Sequence, residues 1–442
     1  MNELQEFLTG RIWLRDFTPF PQEMIEKSIR EGFIQVQKGI TENLQCARCL
    51  EISPEKIVSF WCAKCEGQCH YCRHCIRMGR VSTCTDLITW KESHTISPYS
   101  HSFHWNGELT KLQQQASEEL GDSLHQNRSH LIYAVCGAGK TELLFSPLHQ
   151  ALSEGKRVCI AAPRTDVILE LSPRLQAVFP ELMIHTLYGG STFEPGFARL
   201  VMATTHQLYR FQHAFDLVIV DEADAFPYSY DPSLARAVSK SLKPGAPIIY
   251  VSATPSPKLL ESVPHQSKIF RRFHGHPLPV PIYRALWNYR RSFRTNKMPK
   301  KLADWIIQKL EKGEPFMVFF PTIEMIRQAE PLFKEIDIRI EAVHSKDPDR
   351  KEKVMKLRAG EIPGILTSTI LERGVTIENV QVGIVGADED IFEASALIQM
   401  AGRAGRSGKF PEGQVIFFHN GVSWQMDKAR NLINSYNEEG FR

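Results

Sequence analysis

Two residues that could hold a nucleotide phosphate, Lys140 and Thr141, end a short glycine-containing segment that begins at Ala134. An apolar run from Leu131 to Val135 predicts a buried strand leading into this segment, and a helical pattern follows it. In such a turn, backbone N–H groups, a lysine ammonium and a hydroxyl for Mg²⁺ surround the phosphates. Ala134 stands at the first glycine of the usual GxxxxGK[ST] pattern. We predict a phosphate loop of Ala134, Val135, Cys136, Gly137, Ala138, Gly139, Lys140 and Thr141.

A second apolar run, from Phe215 to Val220, ends in the acidic sequence Asp221-Glu222-Ala223-Asp224. Carboxylates at the end of a buried strand are where nucleoside triphosphatases hold Mg²⁺ and orient the attacking water. We assign Mg²⁺ binding to Thr141 and Asp221, and water orientation to Glu222. Two matching halves of one site predict that the chain hydrolyses a nucleotide, with ATP and Mg²⁺ as cofactors.

The segment from Gln399 to Arg406 holds two arginines three residues apart, backed by glycines. An arginine that reaches a γ-phosphate stabilises the charge of the transition state, and it can couple hydrolysis to domain movement. Two further segments that follow apolar strands, Ser252 to Thr254 and Thr367 to Thr376, could contact the same site. The predicted catalytic residues are Lys140, Asp221, Glu222, Gln399, Arg403 and Arg406.

Eight of the ten cysteines fall between Cys46 and Cys84, and six of them form Cys-x-x-Cys pairs. This spacing lets two thiolates of one turn bind one tetrahedral ion, for which Zn²⁺ is the first choice and an iron–sulfur cluster the alternative. His70 and His74 could each replace a cysteine. Our preferred assignment interleaves the pairs, with Cys46, Cys49, Cys72 and Cys75 on one zinc, and Cys62, Cys65, Cys69 and Cys84 on a second. The main interpretation is a structural metal, and nucleic-acid contact by this module stays open.

Apolar runs alternate with helical patterns over most of the chain, which predicts an α/β fold with two tandem parallel-sheet units. A small cysteine-rich module precedes them. The expected boundaries are 1–39 for a helical N-terminal lead-in, 40–95 for the zinc-binding module, 96–275 for the ATP-binding domain, 276–295 for a proline-rich linker and 296–442 for the second domain.

The composition fits this organisation and excludes other classes. The 442 residues are 43% hydrophobic with a net charge of +3, which is typical of a globular protein and permits nucleic-acid binding without requiring it. No run approaches the roughly 18 apolar residues of a membrane span, and charges near the N-terminus leave no room for a signal peptide. We expect a cytoplasmic protein, with any membrane role peripheral.

From about residue 105 to 420, the order and spacing of these motifs resemble a superfamily-2 helicase. Ala134 to Thr141 matches its motif I, Asp221 to Asp224 motif II, Ser252 to Thr254 motif III, Thr367 to Thr376 motif V and Gln399 to Arg406 motif VI. The resemblance implies two RecA-like domains, adenine recognition by Gln113 and a nucleotide contact at Gly374. It also implies contacts to a DNA strand, which we place at Arg164, Thr165, Thr204, Thr205, Thr322 and Thr367.

The cysteine module immediately before the helicase motifs, with the sequence Tyr71-Cys72-Arg73-His74-Cys75, resembles the ComFA family of competence ATPases. That resemblance implies an ATPase stimulated by single-stranded DNA that helps draw DNA through the membrane channel ComEC, with ComFC and DprA as companions. A replication-restart helicase similar to PriA is the alternative within the same class. An adaptor that uses ATP only as a switch is the alternative of another class. The sequence does not decide between strand separation and translocation alone.

Overall fold

A computed structural model gives the fold of the protein and describes residues 3–91, 98, 100–192, 194–372 and 377–442. The chain divides into two units. The first comprises residues 1–132 and 141–267, and the second comprises residues 133–140 and 268–442. Residues 133–140 group with the second unit and Thr141 with the first.

The N-terminal part of the first unit combines helices with short antiparallel strands. Its elements are α1 (Glu3–Leu8), β1 (Trp13–Leu14), α2 (Gln22–Arg30), β2 (Ile34–Lys38), β3 (Ile57–Cys62), β4 (Gly67–Cys72) and β5 (Asp86–Trp90). Strands β1, β5 and β2 form one sheet in that order, and β3 pairs with β4 as a hairpin. The segment expected as a helical lead-in thus also supplies two strands, whose apolar residues pack with α1 and α2 in a small core.

A seven-stranded sheet follows, with strand order β12-β6-β11-β10-β7-β9-β8. The register is parallel between β8 and β9, β9 and β7, β7 and β10, and β10 and β11. Its elements are α3 (Lys111–His125), β6 (His130–Ala134), α4 (Phe145–Ser153), β7 (Val158–Ala162), α5 (Thr165–Val178), β8 (Ile184–Leu187), β9 (Leu200–Thr204), β10 (Leu217–Asp221), α6 (Pro232–Ser241), β11 (Ile248–Ser252), α7 (Pro257–Ser262) and β12 (Gln266–Ile269).

Burial explains why these strands are continuous apolar runs. Every residue of β7 and β9 is buried, as expected for central strands of a parallel sheet that is covered on both faces. The carboxyl ends of parallel strands lie at one edge of their sheet, and polar side chains follow several of these strands at that edge.

The second unit holds a six-stranded sheet in the order β13-β18-β17-β14-β16-β15, parallel at each pair. Its elements are β13 (Ile282–Ala285), α8 (Tyr289–Arg294), α9 (Lys300–Glu311), β14 (Phe316–Phe319), α10 (Ile323–Ile336), β15 (Glu341–Val343), α11 (Arg350–Ala359), β16 (Gly364–Thr367), β17 (Gln381–Val385), α12 (Ala394–Ala401), β18 (Val415–His419) and α13 (Trp424–Gly440).

The segment 276–295, expected as a linker, carries regular structure in this unit. Strand β13 pairs with β18 at the sheet edge, and α8 buries Tyr289 and Phe293 in the core. The prolines precede β13, so no hydrogen bond of the strand is lost. Their frequency predicts a linker, but the second half of the segment forms a strand and a helix.

None of the helices in the described part of the chain is both long enough and apolar enough to cross a membrane.

Candidate nucleotide and metal sites

The phosphate loop has the backbone that its sequence predicts. Strand β6 ends at Ala134, and Gly137 and Gly139 then take φ values of +82° and +71°, in the left-handed region that favours glycine. Ala134, Val135 and Ala138 are buried, whereas Lys140 and Thr141 are half-buried. A 3₁₀ turn, Glu142–Leu144, leads from the loop into α4. The arrangement is that of a turn whose N–H groups and lysine can receive phosphate oxygens.

The acidic motif begins at the last residue of β10, Asp221. Glu222 follows with φ of +53°, an uncommon conformation for a residue with a side chain, and its N–H donates to Asp221 Oδ1 at 2.9 Å. The next N–H, of Ala223, donates to the carbonyl oxygen of Val251 on the neighbouring strand at 3.1 Å. The backbone therefore turns at Glu222, held by hydrogen bonds of its own N–H and of the next one.

Asp224 joins the acidic motif to the segment after β11. Ser252 Oγ donates to its Oδ1 and Thr254 Oγ1 to its Oδ2, each at 2.7 Å. The sequence predicts that hydroxyls at these positions link the acidic site to the neighbouring unit. The structure shows Asp224 as the acceptor of both, and the link to the neighbouring unit stays a prediction. Both carboxylate oxygens of Asp224 are thus used for positioning, which leaves Asp221 and Glu222 as the candidates for Mg²⁺ and water.

Gln113 lies at the start of α3 and is 4% exposed. Its Oε1 accepts the N–H of Thr110 at 2.8 Å while its own N–H donates to Thr110 Oγ1 at 3.4 Å, a reciprocal helix cap. The observed role of the side-chain oxygen is to begin this helix, and adenine recognition stays a prediction.

The segment from Gln399 to Arg406 lies against the phosphate loop within the second unit. The thiol of Cys136 donates to Gln399 Oε1 at 2.8 Å, and a Cβ added to Gly402 would lie 2.5 Å from the Cβ of Cys136. Arg403 is 6% exposed and its Nε donates to the carbonyl oxygen of Glu372 at 2.9 Å, whereas Arg406 is half-buried. Gly374 lies outside the described residues.

Arg272 is a buried residue at this place that the sequence analysis missed. It is 2% exposed, and its guanidinium donates to the carbonyl oxygens of Gly402, Ala404 and Gly405. The sequence shows only two adjacent arginines, and nothing in it separates this one from Arg271, which is exposed.

The predicted DNA-contact residues fall at the carboxyl ends of strands in each sheet. In the first, Thr204 ends β9 opposite Ala162 of β7, after which Arg164 and Thr165 begin α5. In the second, Thr367 ends β16 opposite Phe319 of β14, after which Thr322 caps α10 by accepting the N–H of Met325 at 3.1 Å. Thr204, Thr205 and Thr367 are buried, so their hydroxyls are less open to solvent than the sequence suggested.

The eight clustered cysteines form two groups, and the groups are those of the interleaved assignment. Cys46, Cys49, Cys72 and Cys75 make one, called here the inner cluster, and Cys62, Cys65, Cys69 and Cys84 make the other, called here the outer cluster. Within each group the four sulfur atoms lie within 4.8 Å of one another. Zn–S bonds of about 2.3 Å at tetrahedral angles place sulfurs about 3.8 Å apart. The Cys46–Cys75, Cys49–Cys72 and Cys62–Cys84 separations of 3.7, 3.6 and 3.7 Å fit that geometry.

A buried arginine and a half-buried lysine lie beside the inner cluster. Arg48 is 2% exposed and donates to Cys75 Sγ at 3.1 Å and to the carbonyl oxygens of Cys75, Met78 and Gly79. Lys240 of α6 donates to the carbonyl oxygens of Arg48 and Tyr209. Hydrogen bonds, led by that from Cys46, and the charge of Arg48 lower the pKa of the Cys75 thiol. Hydrogen bonds within the same cluster, led by that from Cys46, raise the pKa of the Cys49 thiol.

His74 does not lie with either group of cysteines. Its Nε2 is 3.0 Å from the hydroxyl of Tyr209 and 2.8 Å from that of Ser233, and its Nδ1 faces Glu51 Oε2 at 3.8 Å. The imidazole therefore links the cysteine module to α6 and to the 3₁₀ turn Thr205–Arg210.

Comparison with known proteins places three family models along the chain. The competence protein ComFA N-terminal domain matches residues 1–89, the DEAD/DEAH box helicase residues 110–263 and the helicase conserved C-terminal domain residues 297–408. The chain is 41% identical to competence protein ComFA of Bacillus subtilis, covering 99% of this chain and 96% of that protein. It is 38% identical to ComFA of Streptococcus pneumoniae, covering 84% and 86%.

Solved structures with this fold are more distant in sequence. Saccharomyces cerevisiae Dbp5 bound to RNA and ADP BeF3 has a TM-score of 0.56 at 15% identity, covering 74% of this chain and 88% of that one. RecG bound to a three-way DNA junction has a TM-score of 0.51 at 17% identity, covering 76% and 46%. These likenesses show the fold of the two sheets.

Proposed function

The chain belongs to the ComFA family of competence proteins, and from that membership we propose that it is an ATP-driven translocase for single-stranded DNA during DNA uptake. Its DEAD box and helicase C-terminal regions already make it a superfamily-2 helicase-like ATPase. The proposal adds the substrate and the work: hydrolysis that is stimulated by single-stranded DNA and moves the strand.

The observation that carries the proposal is the repeated polar edge of the two sheets. In each, a threonine ends one strand opposite its parallel neighbour, and that neighbour leads into a helix N-terminus, at Arg164 and Thr165 or at Thr322. Helix N-termini and hydroxyls bind phosphates without reading bases. A protein that moves along any sequence needs contacts of this kind.

Within the nucleotide site, the residues divide the work of hydrolysis. The loop amides and Lys140 bind and orient the phosphates, and Glu222 orients a water for attack on the terminal phosphorus while accepting its proton. Arg406 and Arg403 stabilise the charge that develops in the transition state. The hydroxyl of Thr141 and the carboxylate of Asp221 fit Mg²⁺, which neutralises phosphate charge when bound.

Steady-state ATP hydrolysis measured with and without single-stranded DNA tests the proposal. We expect a higher rate with DNA, and binding that weakens steeply as salt rises, because phosphate contacts release counterions. Lys140→Ala should abolish hydrolysis. Glu222→Gln should bind ATP with Mg²⁺ but not turn it over, and Arg406→Ala should lose roughly a thousandfold in rate while it keeps most of its ATP affinity.

One result would overturn the translocase proposal while leaving the ATPase in place. A folded preparation that hydrolyses ATP at the same rate with and without DNA, and that shows no binding at low salt, would indicate an ATP-switched adaptor. A directional translocation assay on labelled strands then separates movement from simple binding. The companions that the family resemblance implies, ComFC, DprA and the ComEC channel, stay predictions for pull-down experiments.

A further inference from the structure

The buried guanidinium of Arg272 bonds three carbonyl oxygens of the turn that carries the two predicted catalytic arginines, and His274 Nε2 lies 3.1 Å from one of them, that of Gly405. Helix α12 ends at Ala401, and the carbonyl oxygens that follow have no further turn of helix to accept from. Arg272 Nη2 donates to Gly402 at 3.3 Å and to Ala404 at 2.9 Å, and its Nη1 donates to Gly405. The planar fork of an arginine can serve three carbonyls that point different ways, which a point charge cannot.

The same side chain lies against the phosphate loop. A Cβ added to Gly137 would lie 3.6 Å from Cγ of Arg272 and 3.7 Å from its Nε. The N–H of the next residue, Phe273, donates to the carbonyl oxygen of Gly137 at 3.0 Å. The aliphatic part of Arg272 thus packs against the phosphate loop, while its guanidinium bonds the turn from Gly402 to Gly405.

Burying this side chain costs free energy of folding. Its Nε has no hydrogen-bond partner among the described residues, and an unmet buried donor costs about 1–3 kcal/mol. Burial also lowers the pKa of Arg272 to about 10, with Arg406 adding to the effect and Cys136 opposing it. The group stays charged at neutral pH, so its three acceptors must outweigh the cost.

We propose that Arg272 is a positioning residue for ATP hydrolysis, which fixes the turn from Gly402 to Gly405 so that Arg403 and Arg406 are aimed at the terminal phosphate. The inference rests on the proposed function, because it needs those arginines to act in the transition state. Arg272 itself touches backbone, and it acts through the turn. The turn also needs glycine at position 405, since Gly405 has φ of +62° and a Cβ there would lie 2.3 Å from the carbonyl oxygen of Pro411.

The test is a double-mutant cycle between Arg272→Met and Arg406→Ala, with kcat, KM for ATP and nucleotide affinity measured for each. Arg272→Met should lower kcat at least tenfold and change nucleotide affinity less than threefold. In the double variant, the loss of rate should be smaller than the product of the two single losses, because Arg272 then has only Arg403 left to position.

Two further variants keep the test decisive. Arg272→Lys retains the charge but can satisfy fewer carbonyls, so its kcat should lie between those of the parent and Arg272→Met, and it replaces Arg272→Met if that variant does not fold. Arg271→Met is the matched control, since Arg271 is exposed and contacts only Gly275 and Phe441 among the contacts described here, and it should keep the parent rate within twofold.

Multiplicative losses in the double variant, or a loss of ATP affinity as large as the loss of rate, would overturn the positioning role. These outcomes are separate from failure of the proposed function. If the parent shows no ATPase activity, or if Lys140→Ala keeps it, the nucleotide site itself is wrong. If the parent is active and Arg272→Met matches it, only the present inference fails.

Discussion

The inner and outer cysteine clusters have the same ligands and opposite surroundings. The four inner cysteines are buried within the core of the first unit, where they pack with residues such as Tyr209, Leu234 and Val238. The outer cluster lies around the β3–β4 hairpin, where Cys65 is exposed and the neighbouring Trp61 is 74% exposed. The stabilisation that a metal ion would give at either cluster therefore depends on which other residues pack around the four thiols.

The two clusters also differ in what lowers the pKa of their thiols. In the inner cluster, Cys75 is assisted by Arg48, itself buried and bound to three carbonyl oxygens. In the outer cluster, a backbone hydrogen bond from Cys65, together with hydrogen bonds from the thiols of Cys65 and Cys84, lowers the pKa of Cys62 to about 7. Arg48 lies within the Cys46–Cys49 turn, and Lys240 of α6 bonds that turn from a distant part of the chain, whereas the hydrogen bonds to Cys62 come from its own cluster.

The largest expected effect comes from Cys46→Ser combined with Cys75→Ser. Structural zinc contributes apparent binding free energies of about 10–16 kcal/mol in small modules, which matches or exceeds the net stability of a typical domain. We expect loss of folded protein in the first unit, and not merely of one metal ion. Zinc content by elemental analysis and thermal unfolding measure it. A folded variant with unchanged melting would show that the cluster is dispensable to the core.

A smaller but still large effect is expected for Arg48→Met. The change removes the guanidinium that bonds the carbonyl oxygens of Met78 and Gly79, and it leaves that of Cys75 with the N–H of Met78 alone, at a cost of about 3 kcal/mol in unfolding free energy. Urea unfolding should report the change, and zinc should leave faster on addition of a chelator. Equal chelation rates for the variant and the parent would contradict the role assigned to Arg48.

Lys240→Met should have a moderate effect, because Lys240 bonds the carbonyl oxygen of Arg48 from helix α6. We expect a loss of about 1–2 kcal/mol in unfolding free energy. Arg236→Met is the matched control on the same helix. Arg236 is 45% exposed at its side chain and reaches Glu51 Oε2 only at 3.7 Å, so it should cost less than about 0.5 kcal/mol. Equal losses for the two variants would indicate that the bond from Lys240 to Arg48 stabilises the protein no more than the exposed ion pair of Arg236 does.

The smallest effect on the first unit is expected from Cys62→Ser combined with Cys65→Ser. Zinc content should fall from two ions per chain to one, while the melting temperature of the protein shifts by no more than a few degrees. ATP hydrolysis without DNA should also stay close to the parent rate. A collapse as complete as that of the inner variant would remove the contrast between the clusters.

Much of the architecture could be predicted from the sequence, because local patterns carry it. Buried parallel strands are continuous apolar runs, so the pattern of apolar residues along the sequence predicts β7, β9, β10 and β11. The phosphate loop and the spacing of the cysteines are local in the same way. The spacing allows several groupings, and the interleaved one, which the structure confirms, was preferred because nested pairs staple a small module that has little core.

The remaining features depend on contacts distant in sequence. Arg272 meets its acceptors more than a hundred residues along the chain, and Lys240 meets Arg48 across a similar separation. No periodicity signals such contacts. The left-handed backbone of Glu222 was hidden for another reason: the residue type argues against it, and only the hydrogen bonds on either side hold it there.

The burial of the inner cluster has a consequence for how the protein is made. Its ligands, from Cys46 to Cys75, leave the ribosome well before Tyr209 and Leu234, which help to cover them. Because N-terminal segments fold first during synthesis, zinc captured by the nascent chain is enclosed only when α6 arrives. Zinc supply would then act during synthesis and folding. A cell short of zinc would contain fewer folded molecules, and each folded molecule would keep its normal activity.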